Sequence, residues 1–175
     1  MYCIYRNRSF ELKIYPIQSE NNFVIIIKMP NETRTLECDY LVIGAGATGM
    51  AFVDEMIHGS SSIKIVLVDK RAKPGGHWVD AYPFVRLHQP AAWYGVNSKA
   101  LENRNSKSVG ADLASKAQIL AYYELVMDDL ISTGRLTYLP QCEYQGNGQV
   151  KSLLDEDIQY QVNIKEFIRK WILTY

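Results

Sequence analysis

The feature that most constrains the fold is a glycine-rich turn between a short apolar run and an amphipathic segment. The apolar run Tyr40-Leu41-Val42-Ile43 is typical of a strand buried on both faces, and it ends at the first glycine of a G-x-G-x-x-G pattern. From Ala47 to about His58 apolar residues recur at helical spacing, as Val53 and Ile57 show. A second apolar run, Ile63 to Val68, predicts another strand. Together they predict a β-α-β unit with a right-handed crossover.

There is a physical reason for each of the three glycines of the pattern to lack a side chain. Gly44 permits the tight turn out of the strand, Gly46 lets a pyrophosphate approach the backbone, and Gly49 lets the helix lie close to the sheet. The phosphates would sit at the helix N-terminus, where N–H groups and the dipole favour negative charge. We therefore predict a dinucleotide site that also includes the other residues of the loop, Ala45, Ala47 and Thr48. The alternative is a glycine turn that serves packing alone.

An acidic residue stands where a dinucleotide site needs one. Asp69 ends the second strand, twenty residues after the third glycine. A carboxylate there accepts hydrogen bonds from ribose hydroxyls and repels a 2′-phosphate. Its neighbours Lys70 and Arg71 either flank the adenosine or are simply solvated. The glycine pattern does not separate FAD from NAD, but the second glycine pair, in Lys73–Trp78, favours an extended FAD because it lets another backbone segment approach the cofactor.

A wider set of motifs carries a family resemblance. The motifs GAGATG, VD and PGGHW, together with the aromatic run GGHWVDAYPFVRLHQPAAWYGVN, resemble the FAD-binding part of flavin-containing monooxygenases and related FAD/NAD(P)-binding oxidoreductases. The resemblance covers about Asp39 to Tyr175. It implies an α/β, Rossmann-type FAD/NAD(P)-binding fold with a parallel sheet and an inserted three-stranded antiparallel β-meander. Closely spaced strand candidates independently predict such a meander: Cys142–Tyr144, Val150–Leu154 and Ile158–Ile164.

The resemblance also implies site residues. It assigns pyrophosphate contacts to the glycine loop and the adenosine ribose to Asp69, and it assigns further FAD contacts to Gly76, His77, Trp78 and the backbone of Cys142. Arg86 or His88 would donate a hydrogen bond or positive charge to the flavin ring as it becomes anionic. The alternative for both residues is to order their own loop. We identify no catalytic residue, and the spacing of the histidines predicts no metal site.

The departures from the family concern what lies beyond the first glycine loop. No second G-x-G-x-x-G is found, so NAD(P)H is expected only for a full-length enzyme. We expect residues 1–38 to form an N-terminal extension and residues 39–175 an FAD-binding domain truncated at its C-terminus. The leading function is a flavin-dependent, monooxygenase-like oxidoreductase with NAD(P)H as reductant. The alternatives are a flavoprotein dehydrogenase or oxidase without a second dinucleotide site, or a truncated non-catalytic FAD-binding module.

Composition and sequence pattern also bear on the partners, the cellular location and the remaining secondary structure. Nineteen basic and nineteen acidic residues cancel, which argues against a nucleic-acid or anionic-membrane partner and leaves FAD and a small-molecule substrate. Three scattered cysteines suit a cytoplasmic protein without a disulfide framework. The strongest helical pattern spans Ala111 to Ser132, with Leu113 and Ala117 on its apolar side and Gly134 just beyond its end. Trp171-Ile172-Leu173 predicts the start of another strand. The substrate and oligomeric state are not predicted.

Overall fold

Three β-sheets and three α-helices make up the part of the chain that the computed structural model describes, namely residues 2–5, 8–16, 23–28, 32–101 and 113–165. The first sheet is antiparallel and contains β1 (Tyr2–Tyr5), β2 (Arg8–Pro16) and β3 (Phe23–Lys28) in that order. The strand predicted at Trp171-Ile172-Leu173 lies outside the described residues.

A parallel sheet organises the predicted site. Its strands are β5 (Tyr40–Ile43), β6 (Ile65–Val68) and β7 (Leu136–Leu139), with β6 in the centre. Helix α1 (Ala47–Gly59) connects β5 to β6, as the periodicity predicted. The mixed α/β class and the parallel sheet are thus confirmed. The full Rossmann arrangement stays a prediction.

The longest helix begins later than its pattern predicted. Helix α3 runs over Lys116–Ser132 and is preceded by a capping box, in which the Gln118 N–H donates to the Ser115 hydroxyl and the Ser115 N–H donates to the Gln118 side chain. Because this box fixes the first turn, Leu113 lies outside the helix and is exposed, and the predicted start at Ala111 is wrong. Gly134, at φ +69°, follows the helix as a C′ glycine, as predicted.

The second sheet is mixed and lies against the parallel one. It contains β4 (Glu32–Cys38), β8 (Cys142–Gly146), β9 (Gln149–Ser152) and β10 (Ile158–Ile164) in the order β4-β10-β9-β8. Strand β10 pairs antiparallel with β9 and parallel with β4. Strand β4 falls within the residues assigned to an N-terminal extension. The domain boundary at residue 38, like the reading of β8–β10 as an inserted meander, stays a prediction.

The parallel sheet has a core on each face because its side chains alternate in direction. On one face, Ile65 and Leu67 pack with buried residues of α1 and α3. On the other face, Val66 and Val68 pack with residues of the second sheet, among them Val150. Two further short elements follow β6: the helix α2 (His77–Asp80) and a 3₁₀ turn at Ala91–Trp93. They belong to the long connection between β6 and α3, whose Gly75 N–H donates to the Ala45 carbonyl oxygen just after β5.

Candidate functional site

The glycine turn lies at the carboxyl end of β5, where it leads into α1. Gly44 has φ +101°, a conformation that side-chain-bearing residues rarely adopt, and its N–H donates to the Val68 carbonyl oxygen at 2.7 Å. A Cβ at Gly49 would overlap the Gly44 carbonyl oxygen. Glycine at position 49 therefore lets the first turn of α1 press against the end of β5, in agreement with the packing reason given for it above.

Asp69 ties the glycine turn to β6. It is 6% exposed, and its carboxylate accepts the Ala45 N–H at 2.6 Å and the Arg71 N–H at 2.7 Å. Its own N–H donates to Leu139 on the neighbouring strand. Hydrogen bonds to a carboxylate are stronger than neutral ones, so this residue fixes the shape of the turn. Each carboxylate oxygen accepts one bond here and retains a second lone pair for a ligand.

The second glycine pair approaches the first glycine loop. The Gly75 N–H donates to the Ala45 carbonyl oxygen at 2.8 Å. Gly76 has φ 56° and ψ −128°, and a Cβ on it would lie 2.8 Å from the Gly46 Cα. A Cβ on Gly46 would in turn meet the Gly76 Cα at 3.5 Å, an ordinary contact. The bare backbone of Gly46 thus faces another backbone rather than a side chain. Its contact with a pyrophosphate stays a prediction.

Helix α1 begins with backbone donors that no described protein group uses. Its N-cap is Gly46, which has no side chain to accept from the first turn, and the first helical hydrogen bond runs from the Met50 N–H to the Gly46 carbonyl oxygen at 2.9 Å. Within the described residues, no acceptor is assigned to the N–H groups of Ala47 or Thr48. Backbone donors of this kind at a helix start can hold an anion.

The other predicted site residues differ in what their side chains contact. Lys70 is exposed and pairs with Glu143 at 2.6 Å, which accounts for its charge without a ligand. His77 is exposed, and its ring lies 5.1 Å from the ring of Trp78. Trp78 itself is buried, and its indole N–H donates to the Tyr94 hydroxyl at 2.8 Å. The indole therefore anchors the loop in the core, and its predicted place along FAD stays a prediction.

Among the described contacts, the side chains of Arg86 and Cys142 form no hydrogen bond with the glycine turn. The Arg86 guanidinium is exposed and donates to the Leu113 carbonyl oxygen at 3.1 Å, which supports the alternative that it orders its loop. Cys142 is buried, and burial raises the pKa of its thiol. Its N–H donates to the Asp69 carbonyl oxygen at 3.0 Å, so the start of β8 is hydrogen-bonded to the residue that is predicted to contact the ribose. His88 is exposed.

Two polar contacts that the sequence did not reveal hold the second glycine pair in place. Arg71 pairs with Asp80, through Nε at 2.8 Å and also through Nη2, and this lowers the pKa of the Asp80 carboxyl. The Lys116 ammonium donates to the carbonyl oxygens of Val79 at 3.0 Å and Ala81 at 2.7 Å, at the C-terminal end of α2. Lys116 is 37 residues from Val79 and 35 from Ala81 in the sequence, so the sequence alone does not indicate that the lysine contacts them. The contact is favourable because the dipole of a helix makes its C-terminal end attract cations.

Two structural findings bear on other classes of site. Among the described residues, no helix is long and apolar enough to cross a membrane, and no group of three or more His, Cys, Asp or Glu side chains is placed to hold a metal ion. A cavity of about 180 Å³ lies away from the glycine turn, between the end of α1 and α3, with His58, Lys99 and Asp129 in its lining. We assign it no role in the site.

Comparisons with known proteins place the fold. The structure matches a flavin-containing monooxygenase from Stenotrophomonas maltophilia with a TM-score of 0.51 and 21% identity, over 72% of this chain and 36% of that one. The chain has an FAD-binding oxidoreductase-like fold. A mutant of the same monooxygenase matches equally well.

The sequence comparisons add relatives but no family. An uncharacterized protein of Mycobacterium tuberculosis is 48% identical over 136 residues, which is 74% of this chain and 25% of the relative. An uncharacterized protein of Mycobacterium bovis matches to the same extent. The chain thus spans about a quarter of the length of these curated relatives. No protein-family model matches the sequence.

Proposed function

We propose that this chain is the FAD-binding portion of a flavin-dependent oxidoreductase, most closely of the monooxygenase type with NAD(P)H as reductant. One observation carries the proposal: two glycine backbones, Gly46 and Gly76, meet beside the uncapped N-terminus of α1 and the carboxylate of Asp69. This corner offers backbone N–H groups for phosphates and a carboxylate for a ribose. The fold shared with a flavin monooxygenase is consistent with that use.

The residues at the corner fit a dinucleotide. The N–H groups of Ala47 and Thr48 would bind the pyrophosphate, and Asp69 would accept from a ribose hydroxyl through its remaining lone pairs. A side chain larger than hydrogen at Gly76 would push the two backbones apart, since a Cβ there would lie 2.8 Å from the Gly46 Cα. The flavin, when bound, supplies hydride acceptance and oxygen activation. This chain's residues bind and orient it.

We assign no described residue to NAD(P)H or to the substrate. The curated relatives are about four times longer than the segment they share with this chain. The reductant, the substrate pocket and any catalytic side chain therefore belong to the proposal for the whole enzyme. Two alternatives remain within the proposal: a flavoprotein dehydrogenase or oxidase without a second dinucleotide, and a non-catalytic module that binds FAD.

The direct test is FAD binding by the full 175-residue chain. We expect added FAD to be retained on desalting and its fluorescence to change on titration. Gly46→Asp should abolish retention, because its carboxylate would stand beside the phosphate position. Gly46→Ala is the matched control for folding, since a Cβ at 3.5 Å from the Gly76 Cα is tolerated by the fold. Thermal melts of both variants separate lost binding from lost folding.

Two results would contradict the proposal or part of it. A wild-type chain that is folded and retains no FAD would refute cofactor binding. A Gly46→Asp variant that retains FAD as tightly as the wild type would refute the placement at this corner. If NADPH bleaches the flavin absorbance of this chain alone, the reductant site lies within these residues and the assignment above is wrong on that point.

A further inference from the structure

Tyr138 carries a buried hydroxyl without a protein partner. The residue lies on β7 and its ring is partly buried against the core that faces α1 and α3. Its Oη is enclosed, and within the described part of the chain no protein atom is in hydrogen-bonding position to it. A buried hydroxyl without a partner is unfavourable, so most such groups in proteins are bound to protein, water or ligand.

The hydroxyl belongs to the same face of the sheet as Asp69. Tyr138 pairs with Leu67 on β6, and both pack on the core that faces α1 and α3. Asp69 stands two residues after Leu67, and its N–H continues the ladder by donating to Leu139. Because side chains alternate along a strand, Asp69 and Tyr138 are diagonal neighbours on that face. The sequence alone does not indicate that these two residues are neighbours.

The Tyr138 hydroxyl, as a donor, and the Asp69 carboxylate, as an acceptor, can bind the same ligand hydroxyl from two sides. Burial, and after it the negative charge of Asp69, raises the pKa of Tyr138, so its hydroxyl keeps its proton near neutral pH. The Asp69 carboxylate, by contrast, accepts hydrogen bonds, among the described contacts those of the Ala45 and Arg71 N–H groups. A hydroxyl group is the ligand that can accept from a phenol and donate to a carboxylate at once.

We infer that Tyr138 is a positioning residue for the adenosine ribose of the dinucleotide, one ribose hydroxyl being held between the Tyr138 Oη and the Asp69 carboxylate, directly or through one enclosed water molecule. The inference rests on the proposed function and deepens it. It adds a second recognition element to the ribose site, on β7 rather than on β6. It also gives a partner to a hydroxyl that has none among the residues the structure describes.

The test combines a protein variant with ligand analogues. FAD is titrated against the full-length wild type, Tyr138→Phe and the control Tyr144→Phe, whose ring packs against the core on the opposite face of the sheet. ADP, 2′-deoxy-ADP and 3′-deoxy-ADP are then used as competitors. We expect Tyr138→Phe to weaken FAD binding about 5- to 10-fold, the value of one hydrogen bond. We also expect the wild type to prefer ADP over one deoxy analogue, and the variant to lose that preference.

Stability of the FAD-free protein separates a ligand contact from an internal one. Because no described residue hydrogen-bonds to the hydroxyl, Tyr138→Phe should leave the FAD-free melting temperature unchanged or raise it. If the wild type binds FAD and Tyr138→Phe binds it equally, the inference fails and the proposed function stands. A wild type that binds ADP and both deoxy analogues equally overturns the inference without any variant. If the wild type binds no FAD, the proposed function fails, and the inference fails with it.

Discussion

Replacing Asp69 by Asn tests how the glycine turn is held. The carboxylate accepts two backbone N–H groups, from Ala45 at 2.6 Å and from Arg71 at 2.7 Å. An amide has one oxygen, so its NH₂ group would face one of these donors. That donor then lacks an acceptor, at about 1–3 kcal/mol, with the lower end for the part-buried Arg71 N–H, and the remaining bond loses its charge assistance, at roughly 1 kcal/mol. We expect Asp69→Asn to lower the free energy of unfolding by about 2–4 kcal/mol.

Thermal and chemical denaturation measure this cost directly. For a chain of this size the expected loss corresponds to a fall of roughly 4–16 °C in Tm. Asp39→Asn is the matched control, because the Asp39 carboxylate also accepts a backbone N–H, that of Lys64 at 2.7 Å, at the opposite end of the same two strands. That contact is exposed, so water can replace it, and we expect a change of less than about 1 kcal/mol. Equal stability of the two variants would refute the role given to Asp69.

Two further substitutions test contacts that support the site. Gly49→Ala should lower the free energy of unfolding by about 1–3 kcal/mol, because the added methyl group would overlap the Gly44 carbonyl oxygen; a thermal melt checks this. Tyr122→Phe should cost about 1–3 kcal/mol in urea denaturation, since the buried Val96 N–H loses its acceptor at 2.7 Å. Wild-type stability in either variant would contradict the contact assigned to that residue.

The β5–α1–β6 unit was predictable because its determinants are local. An apolar strand, a glycine turn and a helical period follow one another without interruption, and each has one favoured conformation. The start of α3 is also determined locally, by the Ser115 and Gln118 side chains, whose spacing is that of a capping box, and not by the apolar periodicity that predicts a start at Ala111.

Other features of the site could not be read from the sequence because they depend on tertiary approach. The backbone of Gly76 touches Gly46 from thirty residues away, and neither glycine indicates the other. The burial of Trp78 and its hydrogen bond to Tyr94 also depend on tertiary approach, and its predicted contact with FAD stays a prediction. The unpartnered hydroxyl of Tyr138 depends on strand register, which follows from packing of the whole sheet.

The most direct test of the account is a backbone-amide NMR titration of the full-length chain with FAD. We predict that the largest shift changes occur at Gly46, Ala47 and Thr48 and at Gly76, since these amides lie where the two glycine backbones meet at the start of α1. Saturating FAD that leaves these amides unchanged, or that shifts instead the residues around the cavity near His58, would contradict it.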